Sequence, residues 1–190
     1  MGLIAARRPK DASPAGDLSA RLDAVMRRSA AVVTDETGEV FDPKAHAVGV
    51  LDAALSVIAE ASRVMRDAAA AVIEAAARTT DAQRAILAER YDDGRERIDA
   101  MQAALPHDAG LLLAVGAQPL DVPLRGAVYA VAPFPLGSDE AGLDLPPPED
   151  GFASHQEVAE TLRRVEIALE RLSRVRAIYL ADRAFLSGGS

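Results

Sequence analysis

Residues 45 to 78 carry apolar side chains at alternating steps of three and four, sustained over several turns. The positions are Leu51, Ala54, Ile58, Ala61, Met65, Ala68, Val72 and Ala75. This spacing places one apolar stripe along one side of an α-helix, which is the pattern of a coiled-coil or bundle helix. A stripe of this length must be covered by other helices, so the sequence predicts a helical bundle.

A second helix is predicted directly after the first, because Thr80 and Gln83 form a capping box that can satisfy free backbone N–H groups. Its apolar stripe consists of Leu87, Tyr91, Gly94, Ile98, Met101 and Leu105. Gly94 lies on this stripe, where the missing side chain would permit a close backbone approach. Pro106 is expected to end the helix. The short loop around Thr79 makes the two helices antiparallel neighbours.

The third long helix follows a second capping box, formed by Ser154 and Glu157. Its stripe consists of Val158, Leu162, Val165, Leu169, Leu172, Val175, Tyr179 and Leu186. To bury this stripe, the helix must return along the first two. The sequence therefore predicts a mainly α fold, an elongated antiparallel helical bundle or coiled coil of three long helices with a small β-hairpin patch.

The other segments are less regular. Residues 1–44 are predicted to be a flexible lead that contains a short helix. The stretch GLLLAVGAQPLDVPLRGAVYAVAPF is β-prone and interrupted by Gly and Pro, which predicts two or three small strands in a hairpin or loop. Residues 133–150 are too rich in Pro and Gly for regular structure, so we expect an exposed linker there.

These patterns predict one domain over residues 45–186. Residues 45–132 would contribute two long helices and the small β region. Residues 133–150 would connect them to the returning C-terminal helix, which lies within residues 151–190.

Composition restricts the classes of partner. The formal net charge is −8, whereas nucleic acid and anionic membrane surfaces require a basic protein surface. The chain has no cysteine, which excludes disulfides and thiolate metal sites. No stretch reaches the roughly 18 consecutive apolar residues of a membrane span, and we expect no cleavable signal peptide. We predict protein partners, with no nucleic acid, no membrane and no small-molecule substrate.

No group of residues has the spacing of a reactive site. Asp92 and Asp93 point in different directions around a predicted helix and alternate with arginines, which indicates a solvated face. The histidines His46, His107 and His155 are far apart in sequence and lack the spacing of metal ligands. Glycine-rich phosphate-binding motifs are also missing. We therefore predict that the protein is not an enzyme and has no catalytic, cofactor-binding or metal site.

The predicted helices also carry short motifs: an Asp-x-x-Arg start and an Ile-Asp pair in the second helix, and a Ser followed by Arg-Ala in the third. Their positions are Asp81, Arg84, Ile98, Asp99, Ser173 and Arg176. With these motifs the chain resembles the α-helical rod segment of bacterial flagellin. GVLDAALSVIAEASRVMRDAAAAVIEAA is similar to the family's first rod helix, TTDAQRAILAERYDDGRERIDAM to its second, and LRRVEIALERLSRVRAIYLADRAFL to its returning C-terminal helix.

The resemblance implies a structural component of the bacterial flagellar filament or a flagellin-like accessory protein in motility. Its partners would be flagellin-type subunits or itself, and flagellar export would place it on the flagellum or outside the cell. It would act by lateral helix packing. The packing seam consists of Leu51, Ile58, Met65, Val72, Leu87, Tyr91, Ile98, Met101, Leu162, Val165, Leu169, Leu172 and Tyr179.

Two other classes of function stay open at this point. A cytosolic helical adaptor or chaperone-like module would bind a partner helix along an exposed seam. A small enzyme with its site in the loops of residues 110–150 is the third class, because loops often carry function. The location of the protein would separate the adaptor from the filament protein. A pocket with convergent polar groups would favour the enzyme.

Overall fold

The computed structural model describes residues 41–188, which form a mainly helical structure with one two-stranded antiparallel sheet. The short helix predicted within the N-terminal lead lies outside the described residues. The elements are α1 (Pro43–Ala76), α2 (Asp81–Ala103), α3 (His107–Leu113), β1 (Leu120–Leu124), β2 (Ala127–Val131) and α4 (His155–Gly188). All six belong to the unit that begins at Asp42.

Helix α1 begins at a side-chain cap and is the helix against which the other helices pack. The Asp42 carboxylate accepts a hydrogen bond from the Lys44 backbone N–H at 2.9 Å, and Pro43 occupies the first helical position. Both features favour a helix start, because the first N–H groups of a helix have no partner within it. The predicted stripe is buried from Leu51 to Ala75. α1 packs against α2, α3, β1 and α4.

Helix α2 begins at the predicted cap, where the Thr80 hydroxyl accepts a hydrogen bond from the Gln83 N–H at 3.4 Å. It runs antiparallel to α1, because the residue numbers of the contacts fall along α1 as they rise along α2. These contacts join Glu74 with Arg90, Ala68 with Gly94, and Glu60 with Arg97. The helix ends at Ala103, so Leu105, predicted as its last stripe residue, lies beyond it and packs partly buried against the core.

The prediction of β structure directly after α2 is wrong for its first part, because His107–Leu113 is the short helix α3. Pro106 precedes it as the N-cap residue, and Ala109, Leu112 and Leu113 are buried. These three positions follow helical spacing, and they face the core from one side of a helix of about two turns. The apolar run is too short for its period to be read from sequence, so helix and strand cannot be distinguished there.

The predicted hairpin is confirmed, with two strands. β1 and β2 pair antiparallel from Leu120 opposite Val131 to Leu124 opposite Ala127. A two-residue turn, Arg125–Gly126, joins them, and Gly126 has φ +79°. Such tight turns need positive φ, which glycine adopts without steric cost.

Residues 133–150 contain no helix or strand, as expected. The expectation that they form an exposed linker is wrong, because part of the segment is buried. Leu136, Leu143 and Leu145 are buried in the core. The backbone folds on itself, with the Leu143 N–H bonded to the Gly137 carbonyl at 2.7 Å. Gly142 lies so close to Gly137 that a Cβ at position 142 would overlap its backbone. Glycines here permit close packing of the chain, whereas composition alone suggested an exposed linker.

Helix α4 also begins at the predicted cap, but only half of the capping box forms. The Ser154 hydroxyl accepts a hydrogen bond from the Glu157 N–H at 3.1 Å. The Glu157 carboxylate accepts instead from the backbone N–H groups of Phe152 and Asp150, each at 3.3 Å. Glu157 therefore orders the turn before the helix. Among residues 41–188, no helix combines the length and apolar character needed to cross a lipid bilayer.

Candidate functional site

The candidate site is the packing interface between the helices, together with the polar contacts that hold it. Of the predicted seam, Met101, Leu162 and Leu169 are partly buried against the core. All the other seam residues are buried. Stripes of α2 and α4 both pack along α1, so the seam positions are brought together around that helix.

Two helices approach closely at Gly94, where the missing side chain was expected to permit it. A Cβ built on Gly94 would lie 2.9 Å from the Cβ of Ala68 on α1, which is tighter than side chains tolerate. Glycine on one helix opposite alanine on the other therefore sets the spacing of α1 and α2 at this level. Small residues at such a crossing let backbones approach.

Arg84 is the most heavily bonded of the family-motif residues, and its side chain is only 6% exposed. Its Nε donates to the carbonyl of Phe152 at 2.7 Å, and one terminal nitrogen donates to the carbonyl of Ala153 at 2.8 Å. The same guanidinium binds the Arg78 carbonyl at 3.2 Å and the Asp81 carboxylate. Arg84 thus ties the first turn of α2 to the residues that precede α4. Its planar, five-donor group suits several acceptors at once.

Asp99, the second acidic motif residue, anchors a loop to α2. Its carboxylate accepts hydrogen bonds from the Ser138 N–H at 2.9 Å and from the Ser138 hydroxyl at 2.8 Å. Arg95 bonds Asp92 at 2.7 Å and reaches Asp99 and Ser138. Burial lowers the pKa of Arg95, but the hydrogen bond to Asp92 and the nearby carboxylates outweigh it and raise that pKa overall. Sequence reasoning did not identify Ser138, whose role depends on a distant helix.

Two buried tyrosines of the seam act as both packing and polar residues. The Tyr91 hydroxyl donates to the Pro146 carbonyl at 2.8 Å, and its ring lies 5.8 Å from that of Phe152. The Tyr179 hydroxyl donates to the Ala132 carbonyl at 3.0 Å. Burial raises the pKa of both phenols above the ordinary tyrosine value. Each tyrosine therefore joins a helix to the irregular segment between β2 and α4.

The hairpin is attached to α4 through Tyr129. Its hydroxyl donates to the Asp182 carboxylate at 2.7 Å, and its ring lies 4.7 Å from that of Phe185. The hydrogen bond to Asp182 raises the pKa of Tyr129. Phe185 is nevertheless exposed, and so is Ile178, which lies seven residues earlier on the same face of α4. An apolar surface therefore lies beside the hairpin.

The remaining motif residues lie elsewhere. Ile98 is buried in the core, whereas Ser173 and Arg176 are exposed on α4 and line a groove between α4 and α1. The motif positions thus do not form one site. Among the described residues, no group of His, Asp and Glu side chains is arranged to hold a metal ion.

Comparison with known proteins adds no relative to this description. No family model matches the sequence, and neither a curated protein nor a solved structure matches it. The resemblance to the flagellin rod therefore stays a prediction, and function has to be argued from the contacts described above.

Proposed function

We propose that this chain is a structural protein that acts by lateral helix packing, as a component of the bacterial flagellar filament or a flagellin-like accessory protein. Its partners would be flagellin-type subunits or other copies of itself. Flagellar export would deliver it to the flagellum or the cell exterior. The proposal assigns no catalytic step, cofactor or small-molecule substrate to the chain.

The observation that carries the proposal is the arrangement around α1. Two consecutive helices form an antiparallel pair, a hairpin follows, and α4 then packs along α1. This is the order of elements that the resemblance to the flagellin rod implies. The motif residues Arg84 and Asp99 also carry the contacts that lock the arrangement. These contacts fix the arrangement of the helices, and a protein that acts by lateral packing requires such a fixed arrangement.

The proposal includes the finer architecture of the described unit: an elongated bundle of three long helices with coiled-coil packing. Residues in such a bundle would pack as knobs into holes along the seam. Small-angle scattering of the purified chain should give a maximum dimension well above that of a sphere of 190 residues. A profile that fits a compact sphere would contradict this architecture.

Location in the cell is the direct test of the function. An epitope-tagged chain, expressed in its own bacterium, should be found on flagellar filaments by immunogold microscopy and in sheared filament preparations. A mutant defective in flagellar export provides the control, because the label should then stay inside the cell. Label confined to the cytosol of the unmodified strain would contradict the filament role.

A cytosolic helical adaptor or chaperone-like module is the second candidate. It is favoured by the exposed apolar side chains Ile178 and Phe185 on α4, which lie on one helical face beside Tyr129. An apolar face of this kind can accept a partner helix. Cytosolic location together with loss of partner binding in an Ile178→Asp, Phe185→Asp variant would favour the adaptor over the filament protein.

A further inference from the structure

Most arginines of the described region have an ion-pair or hydrogen-bond partner, but Arg66, Arg125 and Arg176 have none between residues 41 and 188. Arg125 lies in the hairpin turn. Arg66 and Arg176 line one groove, although they belong to different helices. Two unpaired guanidinium groups in one groove of a chain with net charge −8 point to an anionic ligand.

The groove, here called the basic groove, lies between α1 and α4 and has a volume of about 410 Å³. Its lining residues are Ala59, Ser62, Arg66, Leu169, Ser173 and Arg176. None is acidic. Three other grooves on the described surface differ, since each contains a carboxylate such as Asp67, Glu149 or Glu140. The basic groove thus presents cations without a counter-charge of its own.

Hydrogen-bonding capacity in the basic groove also suits an oxyanion. The Ser62 hydroxyl donates a hydrogen bond to the Ile58 carbonyl at 2.7 Å, one turn earlier on α1. Ser173 makes no hydrogen bond with any residue that the structure describes, so its hydroxyl can donate to a ligand. Two guanidinium groups supply further donors, in the fork geometry that matches carboxylate. Ala59 and Leu169 add an apolar surface for the methylene groups of an acidic side chain.

A complementary surface is present on the same chain. Glu89, Asp93 and Glu96 follow spacing i, i+4 and i+7 on α2, and all three are exposed. None forms an ion pair within the described part of the chain. The arginines next to Glu89 and Glu96 pair with carboxylates of α1, Arg90 with Glu74 and Arg97 with Glu60, and both line the same groove as Asp93. Glu89, Asp93 and Glu96 are called the acidic stripe below.

We propose that the basic groove of one copy of this chain receives carboxylates of the acidic stripe from a second copy. The inference rests on the proposed function, because it names the surfaces through which copies pack side by side. The basic groove and the acidic stripe are different surfaces. Each copy can therefore bind one neighbour through its groove and another neighbour through its stripe. Such heterologous contacts repeat into open rows unless a rotation closes them into a ring.

Exposed charge pairs are weak and screened by salt, so the association should be weak and should fall as ionic strength rises. Arg66→Ala with Arg176→Ala removes both cations of the groove and should weaken association about tenfold. Both side chains are exposed, so folding should be unaffected, and circular dichroism would check this. Arg125→Ala is the matched control, because it removes another unpaired arginine outside the groove and should leave association unchanged.

A complementation experiment tests the pairing itself. One variant carries R66A and R176A, and lacks the groove; the other carries E89A, D93A and E96A, and lacks the stripe. Each should be monomeric alone at low salt in analytical ultracentrifugation. An equal mixture should form dimers and nothing larger, because only one intact groove and one intact stripe remain per pair. Higher species in the mixture, or association of either variant alone, would overturn the proposal.

Inorganic phosphate distinguishes a free oxyanion from a second copy as occupant. The proposal expects phosphate to compete with association only weakly. Saturable phosphate binding that R66A with R176A abolishes, without self-association of the wild type, would make the groove a small-anion site and overturn the proposal. If the variant with R66A and R176A still assembles into labelled filaments, the pairing of groove and stripe is overturned, while the proposed function stays intact. Association through the groove without filament label would overturn the proposed function alone.

Discussion

Helix α1 and the irregular segment of residues 132–153 both contribute to the core, but different interactions hold them in place. α1 is covered mainly by apolar and small side chains, with Ala68 packed closely against Gly94 of α2. The segment is held by hydrogen bonds from α2 on one side and α4 on the other. The donors and acceptors on the helices are Arg84, Tyr91, Asp99, Arg164, Arg171 and Tyr179.

The difference shows how three helices become one unit. α2 and α4 each pack on α1, and the segment supplies polar contacts that join them to each other. Arg164 pairs with Asp144 at 3.1 Å, and Arg171 donates to the Gly142 carbonyl at 3.0 Å, both from α4. Apolar contacts are tolerant of small shifts, whereas these hydrogen bonds require defined positions. Burial thus supplies most of the stability, and the polar contacts define the geometry.

The largest effect is expected at the α1 core. Ile58→Ala removes a fully buried side chain and should lower the free energy of unfolding by about 2–5 kcal/mol. The matched control is Ile73→Ala on the same helix, whose side chain is 57% exposed, and it should change stability by less than about 0.5 kcal/mol. Urea denaturation measures both. Equal losses for the two variants would contradict the assigned core face.

The second effect concerns the segment. Arg84→Ala leaves the Phe152 and Ala153 carbonyls without their donor and should cost about 1–3 kcal/mol. The control is Arg90→Ala, which removes only an exposed ion pair with Glu74 and should cost under about 1 kcal/mol. Hydrogen exchange should show faster opening around residues 150–158 in the Arg84 variant. Uniform loosening of the whole unit would contradict a local anchoring role.

The third prediction tests how closely α1 and α2 approach each other. Gly49→Ala, in α1 with open space around its Cβ, should stabilise by about 0.5–1 kcal/mol through helix propensity. Gly94→Ala gains the same propensity but meets Ala68, so it should be about 1–2 kcal/mol worse than the Gly49 variant. Adding Ala68→Gly should recover most of that loss. Equal thermal stability for both alanine variants would show that the helices are farther apart.

The fourth prediction concerns the dependence of stability on pH. Burial raises the folded-state pKa of Tyr91 and Tyr179 above the unfolded value of 10.0. Above pH 10 the unfolded phenols release protons that the folded ones retain, so stability is complete below pH 10 and decreases as pH rises further. The slope should approach about 1.4 kcal/mol per pH unit for each tyrosine. Tyr91→Phe with Tyr179→Phe should make the slope shallower and leave the contribution of Tyr129, whose pKa is also raised. An unchanged slope would contradict the assigned burial.

Sequence reasoning succeeded where the pattern was long and local. The caps at Thr80 and Ser154 depend on residues three positions apart, and the stripes repeat over many turns. Burial of Ile58 and Val165 follows from such repeats. It failed at α3, because seven residues are too few to separate helical from strand spacing. It also failed for the exposure of residues 133–150, where glycines permit close packing of the chain.

The sequence by itself determined where α2 and α4 start and which faces of α1, α2 and α4 turn inward, because capping and apolar periodicity act between neighbouring residues. Only the tertiary structure decided that Arg84 would bind the Phe152 carbonyl, that Asp99 would hold Ser138, and that Arg66 and Arg176 would line one groove. These pairs are far apart in sequence. Their contacts depend on the relative positions of packed helices and backbone carbonyls, which no local spacing specifies.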